Sequence, residues 1–241
     1  MKIIITENMG EFNKVAADIV SRQIKNKPDS VLGLATGSTP LGLYAMLIDM
    51  YKKGELDFSR VKTFNLDEYR GLPKDHPQSY YHFMYENLFN KINIKDENVN
   101  LLNGNRDESY RECADYEEKI KAAGGIDLQV LGIGHNGHIG FNEPGTPFDS
   151  VTDLIDLSER TIEANSRFFD SPDQVPRQAL SMGIKTIMQS RNIVLLISGN
   201  SKARIAAKAL NGPITQNVPA SVLQLHPFVT VVLDKEAAVY L

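Results

Sequence analysis

The sequence predicts an α/β fold in three layers, a mostly parallel sheet with helices on both faces. Segments rich in Val, Ile and Leu alternate along the chain with stretches of helical periodicity. The strand-like segments are apolar at nearly every position rather than at every second one, as in strands covered on both sides. Gly, Pro and Asp punctuate the junctions. The 241 residues suffice for a single domain, residues 1–241, with a sizeable core.

Each element follows from its own pattern. "KIIIT" reads as a strand, after which Phe12, Val15, Ala16, Ile19, Val20 and Ile24 recur at helical spacing until Pro28 ends the run. "VLGLA" is a second strand, followed by a helix with Pro40 at its first position, where a residue without an N–H loses nothing. "VKTFNL" is a third, with a helix near Ser79. Tyr110, Cys113, Glu117 and Ile120 fall on one helical face, and Cys113 there is expected simply to pack. "DLQVLG" leads into a glycine-rich loop, and "NIVLLIS" into the helical "NSKARIAAKALNG". No repeat, low-complexity tract or composition break marks a linker. In sheets of this kind ligands gather at the carboxyl ends of the strands.

Composition narrows the function classes. The formal net charge is -4 and no block of Lys or Arg appears, so neither a nucleic acid nor a membrane surface is an expected partner. A lone cysteine, Cys113, excludes an internal disulfide. Met1 leads directly into the first strand without a signal-peptide core, and no apolar run approaches the ~20 residues of a membrane span. The cytoplasm is the expected compartment.

The chemistry-bearing residues lie after the strands. In "GIGHNGHIGFNEPG", Gly132, Gly134 and Gly137 imitate a dinucleotide fingerprint, but Gly140, Pro144 and Gly145 deny it the helix that would hold a pyrophosphate. What remains is a loop carrying His138, with Asn136 before it and Glu143 after it, either of which suits as the partner that fixes an imidazole tautomer. His135, His138 and Glu143 also resemble metal ligands, yet their spacing is not the helical H-E-x-x-H and no further cluster accompanies them, so no metal is expected. Thr36, Gly37, Ser38 and Thr39 join a strand to a helix start, a turn suited either to phosphate or to an ordinary N-cap at Thr39. Lys202 falls in the first turn of another helix, where the dipole disfavours a cation unless an anion lies between. Arg167, between Ser166 and two phenylalanines, is a further anion candidate or a helix anchor. Asp67 and Glu68 follow the third strand, as a base or as turn and cap residues.

Taken together, "LATGSTPLGLY", "TFNLDEYRGLPKDHPQSYYHFM", "GIGHNGHIGFNEPG", "ANSRFF", "QALSMGIKTIM" and "LQLHP" resemble the glucosamine-6-phosphate deaminases in content and order. The resemblance implies a Rossmann-like sheet of the sugar-phosphate isomerase/deaminase type. It implies conversion of D-glucosamine 6-phosphate and water to D-fructose 6-phosphate and ammonia, in amino-sugar catabolism, with no cofactor. By the same resemblance Asp67 moves a proton from C2 to C1, and His138 assists opening of the pyranose, with Glu143 and Asn136 orienting it. The phosphate is expected on Thr36, Gly37, Ser38 and Thr39 with Arg167 and Lys202. Some relatives carry aspartate where this chain has Asn136, which leaves Glu143 as the sole carboxylate of the relay.

A lactonase acting on 6-phosphogluconolactone is the nearest rival, opposed by "FNLDEY"; a sugar-phosphate sensor is another, opposed by a chain that opens on its first strand. Larger relatives are activated by N-acetylglucosamine 6-phosphate through basic residues after "FNEP" and a C-terminal extension. Here "GTPFDSVTDLIDLSER" sets Asp149, Asp153, Asp156 and Glu159 against Arg160 alone, so an effector site is expected to be absent. Turn formers over residues 146–176 suit a lid, and oligomeric state stays open.

Overall fold

Strands apolar on both faces need cover on both faces, and the chain supplies it for the central strands, while Ile3 and Ile5 of the first, edge strand stay exposed. The computed structural model describes all residues except 167, 168 and 170, and no side chain at 160, 164, 165 and 172. The elements run β1 (Lys2–Thr6), α1 (Met9–Asn26), β2 (Val31–Leu34), α2 (Leu41–Lys52), β3 (Lys62–Asn65), β4 (Asp67–Tyr69), α3 (Tyr80–Asn87), β5 (Val99–Asn100), α4 (Ser109–Ala122) and β6 (Leu128–Gly132). They continue with β7 (Asp153–Asp156), α5 (Glu159–Ser166), β8 (Gln178–Ser181), α6 (Ile184–Met188), β9 (Asn192–Ile197), α7 (Ala203–Asn211) and β10 (Val229–Asp234).

Seven strands form one sheet in the order β1-β10-β9-β6-β2-β3-β5, every adjacent pair parallel. One core lies between the sheet and α1, α2 and α3, with Phe12, Val20, Tyr44, Leu47 and Met84 against Leu32, Leu34 and Val130. The other lies beneath α4 and α7, with Tyr116, Ile120, Ala206 and Leu210 against Leu131, Leu195 and Val231. This is the three-layer arrangement the apolar runs predict. From β2 the chain winds outward through β3 and β5, then returns to β6 and winds the other way through β9 and β10. The reversal falls between β2 and β6, and at such a switch point the loops part to leave a crevice.

Three local expectations shift. Pro40 is the N-cap of α2 rather than its first residue. On α4 the buried face is Ser109, Glu112, Cys113, Tyr116 and Ile120, while Tyr110 is 72% exposed: Cys113 packs as expected, but the stripe runs one position away from Tyr110. The third concerns topology. A second sheet of three antiparallel strands, β4-β8-β7, follows directly from the carboxyl end of β3. Leu66 is the joint, its N–H donating to Leu34 O at 3.0 Å and its carbonyl accepting from Met182 N at 2.7 Å. Strand β7 lies inside the segment expected to serve as a lid, so residues 153–156 of that segment are held by pairing to β8.

Candidate active site

The loops after β2, β3, β6 and β9 all open at the carboxyl edge of the sheet, and these four strands are neighbours in the order β9-β6-β2-β3. Asp67, His138, Lys202 and the Thr36–Thr39 turn are therefore gathered at one edge, centred on the switch point.

The β6 loop is built around its imidazole. Gly134 N donates to His138 O at 2.9 Å and Gly137 N to Gly134 O at 3.1 Å, which folds residues 134–138 into a tight turn. A β-carbon on Gly134 would stand 2.2 Å from His138 Cε1 and Nε2, so the ring lies where any other side chain would begin. Past the histidine, Asn142 Nδ2 donates to Ile139 O and Met182 O, both at 2.8 Å, and Phe141 N donates to Ser181 Oγ at 3.0 Å. These bonds staple the loop to β8 and its end.

His138 Nδ1 lies 3.3 Å from Glu143 Oε1. The contact falls just outside the geometry of a well-formed hydrogen bond. Asn136 Nδ2 donates to Glu143 Oε2, and Asn136 Oδ1 accepts from the His138 backbone N–H at 3.2 Å. Asparagine thus reaches the imidazole through the glutamate and the backbone, while the glutamate faces the ring directly. Thr161 Oγ1 also donates to Glu143 Oε1. Burial pushes the Glu143 carboxyl up, but contact with His138, the Thr161 hydroxyl and the Asn136 amide outweigh it and hold the group down at about 2.

Asp67 and Glu68 divide the two readings of their motif between them. Glu68 is the cap: its carboxylate accepts from Tyr69 N at 2.8 Å, Tyr80 N at 2.9 Å and Tyr81 N at 2.8 Å, tying β4 to the first turn of α3. Burial raises it to about 6 against those three donors. No hydrogen bond from the described residues reaches the Asp67 carboxylate, which is buried beneath the loop where a β-carbon on Gly140 would come within 3.8 Å of Oδ2. Burial, reinforced by the Glu68 charge, pushes Asp67 up to about 8. Burial thus holds Asp67 largely in its neutral acid form near pH 7, and a cation placed beside it would favour the carboxylate.

The β2 turn is open. Gly37 and Ser38 are exposed, Gly37 has φ +94°, and α2 carries neither a side-chain cap nor an acidic residue in its first turn. Thr39 is thus not an N-cap. Among the described residues no backbone hydrogen bond engages the amides of Gly37, Ser38 or Thr39, so the donors that suit an anion are available. Lys202 sits in a 3-10 turn, Asn200–Lys202, just before α7 rather than inside it. Its Nζ donates to Ile133 O at 2.9 Å, which leans the cation across the mouth of the β6 loop. Arg167 lies outside the described residues. Among those described, no group of three His, Cys, Asp or Glu side chains is placed to hold a metal ion.

Sequence reasoning missed Thr161 and the aromatic floor. Tyr69, Tyr80 and Phe141 pack together, with ring centroids at 4.9 Å for Tyr69–Tyr80 and 5.9 Å for Tyr69–Phe141, so β4, α3 and the β6 loop share one support. "DEY", "SYY" and "IGF" carry that signal only as scattered aromatics.

Residues 7–232 match the family model described as glucosamine-6-phosphate isomerases/6-phosphogluconolactonase. The chain is 59% identical over 238 residues to a glucosamine-6-phosphate deaminase of Thermoanaerobacter pseudethanolicus, covering 99% of this chain and 94% of that one. It is 57% identical over 238 residues to one of Clostridium botulinum, covering 99% and 98%. A solved structure described as a monomeric glucosamine-6-phosphate deaminase superposes with a TM-score of 0.98 at 48% identity over 100% of both chains. A 6-phosphogluconolactonase from Thermotoga maritima superposes with a TM-score of 0.76 at 22% identity, over 97% of this chain and 99% of that one, a likeness of fold.

Proposed function

The chain belongs to the glucosamine-6-phosphate isomerase/6-phosphogluconolactonase family, and from that premise we propose how its residues convert D-glucosamine 6-phosphate and water to D-fructose 6-phosphate and ammonia. The deaminases, at 55–59% identity over 99% of the chain, are the branch to which this enzyme is similar in sequence. The likeness to the solved lactonase structure, at 22% identity, is one of fold. Asp67 carries the mechanistic reading: a buried carboxyl that takes no hydrogen bond from the described residues, at the switch point, beside the His138 loop.

The phosphate sits on the amides and hydroxyls of Thr36, Gly37, Ser38 and Thr39, with Lys202 and Arg167 supplying charge. His138, backed by ionised Glu143 on Nδ1, transfers a proton at the ring oxygen and opens the pyranose. Asn136 holds the second oxygen of Glu143 and the backbone of the loop. With the chain open, the C1 carbonyl makes the C2 proton removable, and the ammonium group at C2 supplies the counter-charge that Asp67 lacks. Asp67 takes that proton and returns it to C1, while the C2 ammonium gives up one proton to the C1 oxygen and becomes a protonated imine. The resulting C2 imine adds water and loses ammonia, leaving the ketose. Proton transfers of this kind are worth about 10²–10⁴ each, and need neither metal nor organic cofactor. The enzyme acts as a single domain, residues 1–241, in the cytoplasm, on a small sugar phosphate and not on a nucleic acid or membrane.

Purified protein given glucosamine 6-phosphate should release ammonia and fructose 6-phosphate in equal amounts. Hydrolysis of 6-phosphogluconolactone without ammonia release from the amino sugar would overturn the assignment.

A further inference from the structure

Glu143 is held from a third side, by an element remote from the β6 loop. Ser158 caps α5, its Oγ accepting from Thr161 N at 3.2 Å. The same Ser158 hydroxyl and Thr161 Oγ1 are 3.0 Å apart, and Thr161 Oγ1 bonds Glu143 Oε1. Ionised Glu143 only accepts, so the Thr161 proton points at the carboxylate and the Ser158 proton points at Thr161. The order is therefore Ser158, Thr161, Glu143, His138. Oε1, the oxygen 3.3 Å from His138 Nδ1, is the one that Thr161 grips, while Oε2 takes the Asn136 amide. Thr161 is 7% exposed, and its hydroxyl is oriented by bonds at both ends.

We propose that Thr161 is a positioning residue for ring opening: its hydroxyl sets the Glu143 carboxylate so that Oε1 stands beside His138 Nδ1. A carboxylate turns about its last bond unless both oxygens are engaged, and the Asn136 amide alone engages one. The donor sits in the first turn of α5, and that helix ends at Ser166, immediately before Arg167 in the chain. Seating of α5 and readiness of the imidazole are thereby one event. The inference rests on the roles proposed for His138 and Glu143, and adds the element that aligns them.

The test compares Thr161→Val, Thr161→Ser and Glu143→Gln on two substrates: glucosamine 6-phosphate, and an analogue without the C4 and C5 hydroxyls, which cannot cyclise. Thr161→Val keeps shape and loses the donor, so kcat/KM on the cyclic substrate should fall about 10-fold, the worth of one hydrogen bond to a charged group. Proton exchange at C2 of the analogue should stay within about 2-fold, and Thr161→Ser should restore turnover of the cyclic substrate. Equal losses on both substrates, or no loss on either, would overturn the proposal. Glu143→Gln separates the layers: if it too leaves turnover of the cyclic sugar intact, the role of Glu143 itself is wrong, whereas if it impairs turnover while Thr161→Val does not, only the Thr161 link fails.

Discussion

Asp67 and Glu68 are adjacent, alike and both buried, yet their surroundings set them to different work. Glu68 spends its charge on three backbone donors, whereas Asp67 has none among the described residues and is pushed up to about 8. The folded protein therefore holds the Asp67 proton more tightly than the unfolded chain, whose carboxyl titrates near 4. Between those values the native state binds more protons, so stability falls as pH rises from about 4 to about 8, and the whole cost is present above 8. Asp67→Asn removes that cost. Its melting temperature should exceed that of the parent by several degrees at pH 9, given about 2–4 °C per kcal/mol for a chain of this size, with the gap closing towards pH 4. Deamination should be lost while sugar-phosphate binding persists. A gap independent of pH, or near-normal turnover, would contradict the burial argument or the base assignment.

The β6 loop is the element on which the proposed ring opening turns, and Gly134 has a distinct duty in it. Gly134 is needed for space: the His138 ring occupies the position of a β-carbon there, at 2.2 Å. Gly134→Ala should thus displace the imidazole rather than strain the backbone. A shift of about 1 Å can cost about 100-fold in rate, so kcat/KM should fall by that order with little change in melting temperature. Near-normal kinetics in Gly134→Ala would mean that the ring position seen here is not the working one. The sequence suggested that a nucleotide helix does not follow this loop, and the reason is visible in the fold: Phe141 and Asn142 turn back to bond β8 and Met182.

Across the whole molecule, charge bears on regulation. Asp149, Asp153, Asp156 and Glu159 are all exposed along the segment before and after β7, with Arg177 3.3 Å from Glu159 and Gln178 2.9 Å from Asp156. An incoming phosphate would meet carboxylates there, and exposed ion pairs of this kind contribute little to hold it. We expect hyperbolic kinetics with no activation by N-acetylglucosamine 6-phosphate. Sigmoidal substrate curves that become hyperbolic on adding that compound would show an effector site.

The alternation of largely apolar strands with amphipathic helices determined the layered parallel sheet, because a central strand apolar on both faces is stable only when both are covered. Local turn chemistry likewise placed Asp67, the Thr36–Thr39 turn and His138 at strand ends, since ligand loops in such a sheet arise there. The antiparallel β4-β8-β7 sheet was not legible: its strands are three or four residues long, and the pairing of β4 with β8 joins segments about 110 residues apart, Asp67 with Ser181, so no local period announces it. Tertiary structure alone decided which of two neighbouring acids is the cap and which is left bare, because Tyr80 and Tyr81 bring their amides to Glu68 only once α3 is seated. It also decided that Thr161 reaches Glu143, a contact between side chains 18 residues apart that depends on how α5 packs and on nothing in either segment by itself.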